Sequence, residues 1–114
     1  MTHLQPRAKL WIEIDGKIAL SQWRVALLQA IEATGSLAKA SEQLDVPYRT
    51  ASYKLREIEE NLGIRLVAGK SGGAEGGGTR LTPEGQEYVR RWQVFADGLD
   101  DWVRAQFDAA FGSS

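Results

Sequence analysis

Residues 36–67, SLAKASEQLDVPYRTASYKLREIEENLGIRLV, constrain the fold more than any other part of the chain. Ser36 is suited to cap a helix, because its hydroxyl can accept from the free N–H groups of a first turn. Leu37, Ala40 and Leu44 then fall on one helical face. Asp45 tolerates turn backbone better than most non-glycine residues. Val46 and Pro47 follow. Proline fits the first position of a helix, where its missing N–H would be unpaired anyway. From there Ala51, Leu55, Ile58 and Leu62 recur at intervals of four, three and four, which makes a single buried stripe.

The other faces of this second segment carry Tyr48, Arg49, Thr50, Ser52, Tyr53, Lys54 and Arg56. Every charge between Pro47 and Arg56 is positive, whereas Glu57, Glu59 and Glu60 come only afterwards. Two short helices around a tight turn, the second basic at its start, are the layout of a helix-turn-helix. In that motif the second helix lies in the DNA major groove and presents its N-terminal residues to the bases. Arginine can chelate a guanine edge, and Ser or Thr can serve bases or phosphates. The competing reading is an ordinary amphipathic helix with a solvated polar face.

The flanking sequence supplies context. Leu10, Ile12 and Ile14 alternate with Trp11, Glu13 and Asp15, and Asp15-Gly16 is a two-residue hairpin signal. Ile18 and Leu20 continue the return strand, so a hairpin is expected over 9–20. Ser21 caps a helix running to about Thr34, with Leu27, Leu28 and Ile31 inside and Gly35 at its end. Gly63 ends the basic helix, and Arg65 to Ala68 is expected as a strand. Residues 69–78, GKSGGAEGGG, have too few side chains to pack, so a mobile loop is expected there. Thr79 to Leu81 returns as a second strand, giving a glycine-rich wing over 65–81.

Thr82 and Pro83 open a last helix, expected over 83–111. Tyr88, Trp92, Phe95, Leu99 and Trp102 repeat at four, three, four and three, with Val103 and Phe107 on an adjoining track. At ~1.5 Å per residue the helix spans roughly 44 Å, too long to bury on one small domain. These seven residues are therefore expected to form a homodimer interface. Gly98 allows either a close helix crossing or a kink.

Ala40 through Leu66, with LREIEENLGIRL after Ser52, resembles the helix-turn-helix of LysR-type transcription regulators, as does the later Leu81-Thr82-Pro83 with Gly85. The order of hairpin, RVALLQAI, GSLAKAS, PYRTASYKL and SGGAEGGGTRLTPEG is similar to the N-terminal DNA-binding domain of the molybdate-dependent (ModE-type) regulators. The resemblance implies DNA binding, transcription regulation and dimerisation. Regulators of that type also carry a C-terminal pair of oxyanion-binding barrels. The sequence stops at Ser114, so no sensing domain is expected within it, and a separate sensor protein is a candidate partner.

Composition narrows the remaining classes. A chain of 114 residues is expected to be one domain. It has no cysteine, no run of membrane-spanning length and no signal-peptide pattern, so a cytoplasmic location is expected. The net charge of −1 is less basic than many DNA binders, but Asp97, Asp100, Asp101 and Asp108 sit in the tail against Arg104 alone. Gly69-Lys70-Ser71 ends like a phosphate loop, yet Ile64 stands where that motif needs glycine. The single histidine, His3, lies in a loose arm, and no metal-ligand spacing exists. Neither catalysis nor a cofactor or metal is expected. Glu59 and Glu60 are expected to be solvated on a helix flank.

The expected fold is mainly α (α+β): a winged helix-turn-helix with an N-terminal hairpin, a β-wing and a long C-terminal dimerisation helix. The expected function is binding of a near-palindromic duplex by a homodimer. Tyr48, Arg49, Ser52, Tyr53 and Arg56 are the leading contacts, with Thr50 and Lys54 facing phosphates. Ser36 and Pro47 join them from the two helix starts, and Lys70, Ser71 and Arg80 from the wing. The alternative is a protein-interaction module that pairs with another regulator and does not bind DNA itself.

Overall fold

The structure, a computed structural model, describes residues 3–69 and 78–112. The chain runs β1 (Trp11–Ile14), β2 (Lys17–Ser21), α1 (Gln22–Thr34), α2 (Leu37–Gln43), α3 (Tyr48–Leu62), β3 (Val67–Gly69), β4 (Thr79–Leu81) and α4 (Pro83–Phe111). Strands β1 and β2 form one antiparallel pair, β3 and β4 another.

Local chemistry sets most of the boundaries. Asp15 and Gly16 both take positive φ, 51° and 79°, as a tight hairpin turn requires. The Ser21 side chain accepts from the backbone N–H of Arg24 and opens α1. Gly35 closes α1 at φ 72°. Ser36 opens α2 by accepting from Lys39, and Thr82 opens α4 by accepting from Gly85. Asp45 turns the chain between α2 and α3 at φ 59°. Pro47 differs from expectation by one position: it is the cap of α3, with extended backbone, and helical geometry begins at Tyr48.

The hairpin departs from simple alternation. Ile12 pairs with Leu20 but Glu13 pairs with Ile18, so Ala19 is an extra residue on β2. The bulge buries two consecutive residues, Ala19 and Leu20, and leaves Ile14 and Ile18 exposed. The first wing strand also begins later than expected, at Val67 rather than Arg65. The Arg65 carbonyl instead accepts from the Thr82 hydroxyl, which ties the start of the wing to the cap of α4.

The core lies where the three short helices meet the hairpin, the wing and the first half of α4. Leu27, Leu28 and Ile31 of α1 pack with Ala40 of α2, Ala51 and Ile58 of α3, and Leu66. Gly85 lies against the Leu66 carbonyl so closely that a Cβ there would overlap it. Trp92 packs into this same core and is 5% exposed. Beyond Leu99 the helix continues past the domain, with Trp102 and Phe111 exposed, and the molecule is drawn out to 59 × 32 × 22 Å.

Candidate nucleic-acid interface

Helix α3 has four sides, and each meets something different. Ala51, Leu55 and Ile58 face the core. At 3.6 residues per turn, Arg49, Tyr53, Arg56 and Glu60 share the opposite, outermost side, and all four are exposed. Thr50, Lys54, Glu57 and Asn61 form the flank toward α1 and the hairpin. There Arg24 Nη2 donates to Glu57 Oε1 at 2.7 Å, and Asn61 Nδ2 donates to the Ile18 carbonyl at 3.0 Å. Ser52 and Glu59 lie on the flank toward the wing, where Glu59 Oε2 accepts from the backbone N–H groups of Leu66 and Val67.

The outer side is the one that can reach a ligand as large as a duplex. Arg49 and Arg56 have no salt-bridge partner among the described residues. Their guanidinium groups are therefore free to meet phosphates or base edges. Tyr48 and Tyr53 stand beside them, 56% and 57% exposed. Thr50 and Ser52 are half-buried on the two flanks. Lys54 differs from the arginines, since its ammonium lies 3.6 Å from Glu57 Oε1 and part of its charge is answered within the helix. No side chain caps the N-terminus of α3, so its first-turn N–H groups remain available to an anion.

Ser36 uses its acceptor lone pair on Lys39 N at 3.1 Å and keeps a hydroxyl proton to donate. Arg80 is exposed on β4. Lys70 and Ser71, the other wing candidates, lie outside the described residues.

The wing is attached to the helices by carboxylates that sequence patterning did not single out. Glu32 of α1 accepts from Leu81 N at 3.0 Å and from Gln86 Nε2 at 2.9 Å. The Leu81 N–H, then the Gln86 amide and the nearby Arg80, hold its carboxyl below the usual carboxylate range. Glu59 is likewise no solvated flank residue: its side chain is 18% exposed and engages two wing amides. Thr79 N donates to the Gly35 carbonyl at 2.8 Å, so the end of α1 also touches the second wing strand. Arg24 was missed as well. Its place among Val25, Leu27 and Leu28 put a charge beside an apolar face, and that was the available signal.

The expected interface residues of α4 divide. Trp92 belongs to the protomer's own core and is withdrawn from the interface set, because α1 and the hairpin already cover it. Tyr88 is half-buried against that core. Phe95 and Trp102 are 51% and 60% exposed, and Leu99, Val103 and Phe107 are half-exposed on the overhanging part.

Comparison with known proteins agrees with this geometry. Residues 23–86 match the family model for the bacterial regulatory helix-turn-helix protein, lysR family. The molybdenum transport protein ModE of Azotobacter vinelandii is 32% identical over 94 residues, covering 82% of this chain and 35% of that protein. The DNA-binding transcriptional dual regulator ModE of Escherichia coli (strain K12) is 26% identical over 93 residues, covering 82% of this chain and 36% of its own length. The chain thus spans about a third of these relatives, 35% and 36% of their lengths. Among solved structures, the BenM DNA-binding domain in complex with benA site 1 DNA superposes with a TM-score of 0.60 at 22% identity, over 82% of this chain and 100% of that one. The CbnR DNA-binding domain in its DNA complex gives 0.60 at 23% identity, over 76% and 98%. With the family model covering more than half of its residues, the chain belongs to the lysR family of bacterial regulatory helix-turn-helix proteins, and its fold is a winged helix-turn-helix of the ModE type.

Proposed function

We propose that this chain is the DNA-reading part of a bacterial transcription regulator, working in the cytoplasm as a homodimer on a near-palindromic duplex. The observation that carries it is the outer side of α3, where Arg49 and Arg56 stand exposed without acidic partners beside Tyr53. A face of that composition suits a polyanion read in the major groove. Arg49, Tyr53 and Arg56 are assigned to the groove, with Tyr48 and Ser52 at its wing-side edge. Thr50, Lys54, Ser36 and the α3 N-terminus at Pro47 meet the backbone, and Arg80, Lys70 and Ser71 add contacts from the wing. Two copies joined through α4 would set their reading helices about 34 Å apart, one turn of the duplex.

A titration of labelled duplex at several salt concentrations tests this. Binding should weaken steeply with salt, and an Arg49→Ala, Arg56→Ala double variant should bind more weakly with a flatter slope. No binding at low salt, either to the promoter region beside its own gene or to random duplex, would overturn the proposal. One feature favours the alternative of a protein-interaction module: the net charge of −1, with acidic residues gathered in the second half of α4. Under that alternative the double variant would leave all measured associations unchanged.

A further inference from the structure

The second half of α4 has an apolar surface that its own domain does not cover. Phe95, Gly98, Trp102, Ala105 and Ala109 follow one another at three- and four-residue steps and form a stripe beside the core-facing line of Leu99 and Val103. Beyond Arg91 no charged residue falls on that stripe, because Asp97, Asp100, Asp101, Arg104 and Asp108 lie outside it. On the same side of the first half of α4 there is a cleft of about 270 Å³. Its walls are almost wholly carbon: Ile12, Ala19 and Leu20 of the hairpin, Leu62 at the end of α3, and Tyr88 and Phe95 of α4.

We propose that this cleft is the seat for a second copy's α4, with the two helices crossing antiparallel between Gly98 and Leu99. This deepens the homodimer reading above and rests on it. The chain cannot fill the cleft with its own free end, since α4 is one uninterrupted helix from Pro83 to Phe111. A second copy can. Phe95 and Trp102 stand equally far from the crossing point, ~5 Å at 1.5 Å per residue, so each Phe95 meets the other copy's Trp102. A twofold contact of this kind satisfies both copies with the same pair of residues. Gly98 has nothing within 4 Å of a Cβ position, which leaves room for a close crossing.

The twofold also settles where the remaining apolar residues go. Rotation about an axis normal to both helices keeps their core-facing lines on one side of the pair. The second copy's Val103 and Phe107 therefore point toward this protomer's hairpin and fill the cleft. The overhang and the cleft-bearing half of α4 are of similar length, so each free end covers the other copy's cleft. The hairpin thereby becomes part of the dimer interface, held in place by its bulge at Ala19.

The chain contains no cysteine, so introduced thiols are unambiguous. Phe95→Cys and Trp102→Cys are made as single variants and oxidised alone and mixed, at tens of micromolar. A mixed covalent dimer is expected. Neither variant alone should couple, since like positions lie ~10 Å apart along the helix, beyond the ~7 Å Cα limit for a disulfide. In parallel, Phe107→Glu should weaken dimerisation in sedimentation at least tenfold, with far-UV circular dichroism unchanged, whereas Arg104→Glu should leave it unaltered. A dimer that forms no mixed disulfide overturns the crossing but leaves the homodimer and the DNA reading standing. A dimer indifferent to Phe107→Glu overturns the cleft as its seat. A wild-type monomer at these concentrations overturns the inference and the homodimer together, and DNA titration then decides the remaining part of the proposed function.

Discussion

Arg24 on α1 and Glu57 on α3 are joined at 2.7 Å, and that single pair ties the first helix to the helix that carries the candidate DNA contacts. Arg24 is 7% exposed, and its Nη1 has no hydrogen-bond partner. Removing one member of such a pair leaves a buried charge uncompensated, while replacing both with apolar groups is often close to neutral. Glu57→Leu should therefore destabilise the fold by about 3 kcal/mol. Adding Arg24→Met to it should recover most of the loss. Urea unfolding of the two single variants and the double variant checks this, and additive losses would contradict it.

The same pair bears on the charge of α3. Lys54 is partly neutralised by Glu57, whereas Arg49 has no such partner among the described residues. Arg49→Ala should cost about 1–3 kcal/mol and relax base preference. Lys54→Ala should weaken binding to every sequence by a smaller factor, and lower the salt slope by less than about 1. Parallel titrations of specific and random duplex separate the two effects. Equal loss of specificity from both variants would refute the assignment.

Gly85 is required by a backbone contact rather than by a turn. A methyl group there overlaps the Leu66 carbonyl. Overpacking of this kind costs about 1–3 kcal/mol, against a gain of ~1 kcal/mol from alanine's helix propensity. Gly85→Ala should lower the melting temperature by several degrees, at about 4–8 °C per kcal/mol for a domain of this size. An unchanged or raised melting temperature would show that the wing and α4 can separate freely.

Glu32 makes wing attachment sensitive to acid. Its folded pKa lies below the usual value, chiefly because of the Leu81 N–H and then Gln86. A depressed carboxylate pKa contributes stability that is present above the unfolded value, ~4.3, and is lost as pH falls through the folded one. Glu32 is exposed, so solvent screening keeps the contribution below about 1 kcal/mol. Denaturation midpoints of wild type and Glu32→Gln should differ by a constant amount from pH 6 to 8 and converge below about pH 4. A gap that widens on acidification would reverse the sign and exclude this account.

Much of the fold was legible because its signals are local. Asp15-Gly16, the caps at Ser21, Ser36 and Thr82, and the closing glycines Gly35 and Gly63 each act on backbone within a few residues. The stripe of Ala51, Leu55 and Ile58 is likewise a property of one helix. On α3, Arg49, Tyr53 and Arg56 could be singled out by composition, and helical geometry then placed them on one side.

The tertiary structure decided what depends on residues far apart in the chain. Glu32 meets Leu81 across 49 positions, and Arg24 meets Glu57 across 33, so no window of sequence shows either pair. The bulge at Ala19 reversed the expected exposure of Ile18, and packing against α1 claimed Trp92 for the protomer's own core. Periodicity alone marks a face as apolar but not what covers it, and along α4 that depends on where the domain ends. By itself the sequence determined which segments coil, turn and carry positive charge, because those follow from neighbouring residues. How the reading helix is braced, how the wing is attached and which aromatics remain uncovered were decided only by chain closure in three dimensions.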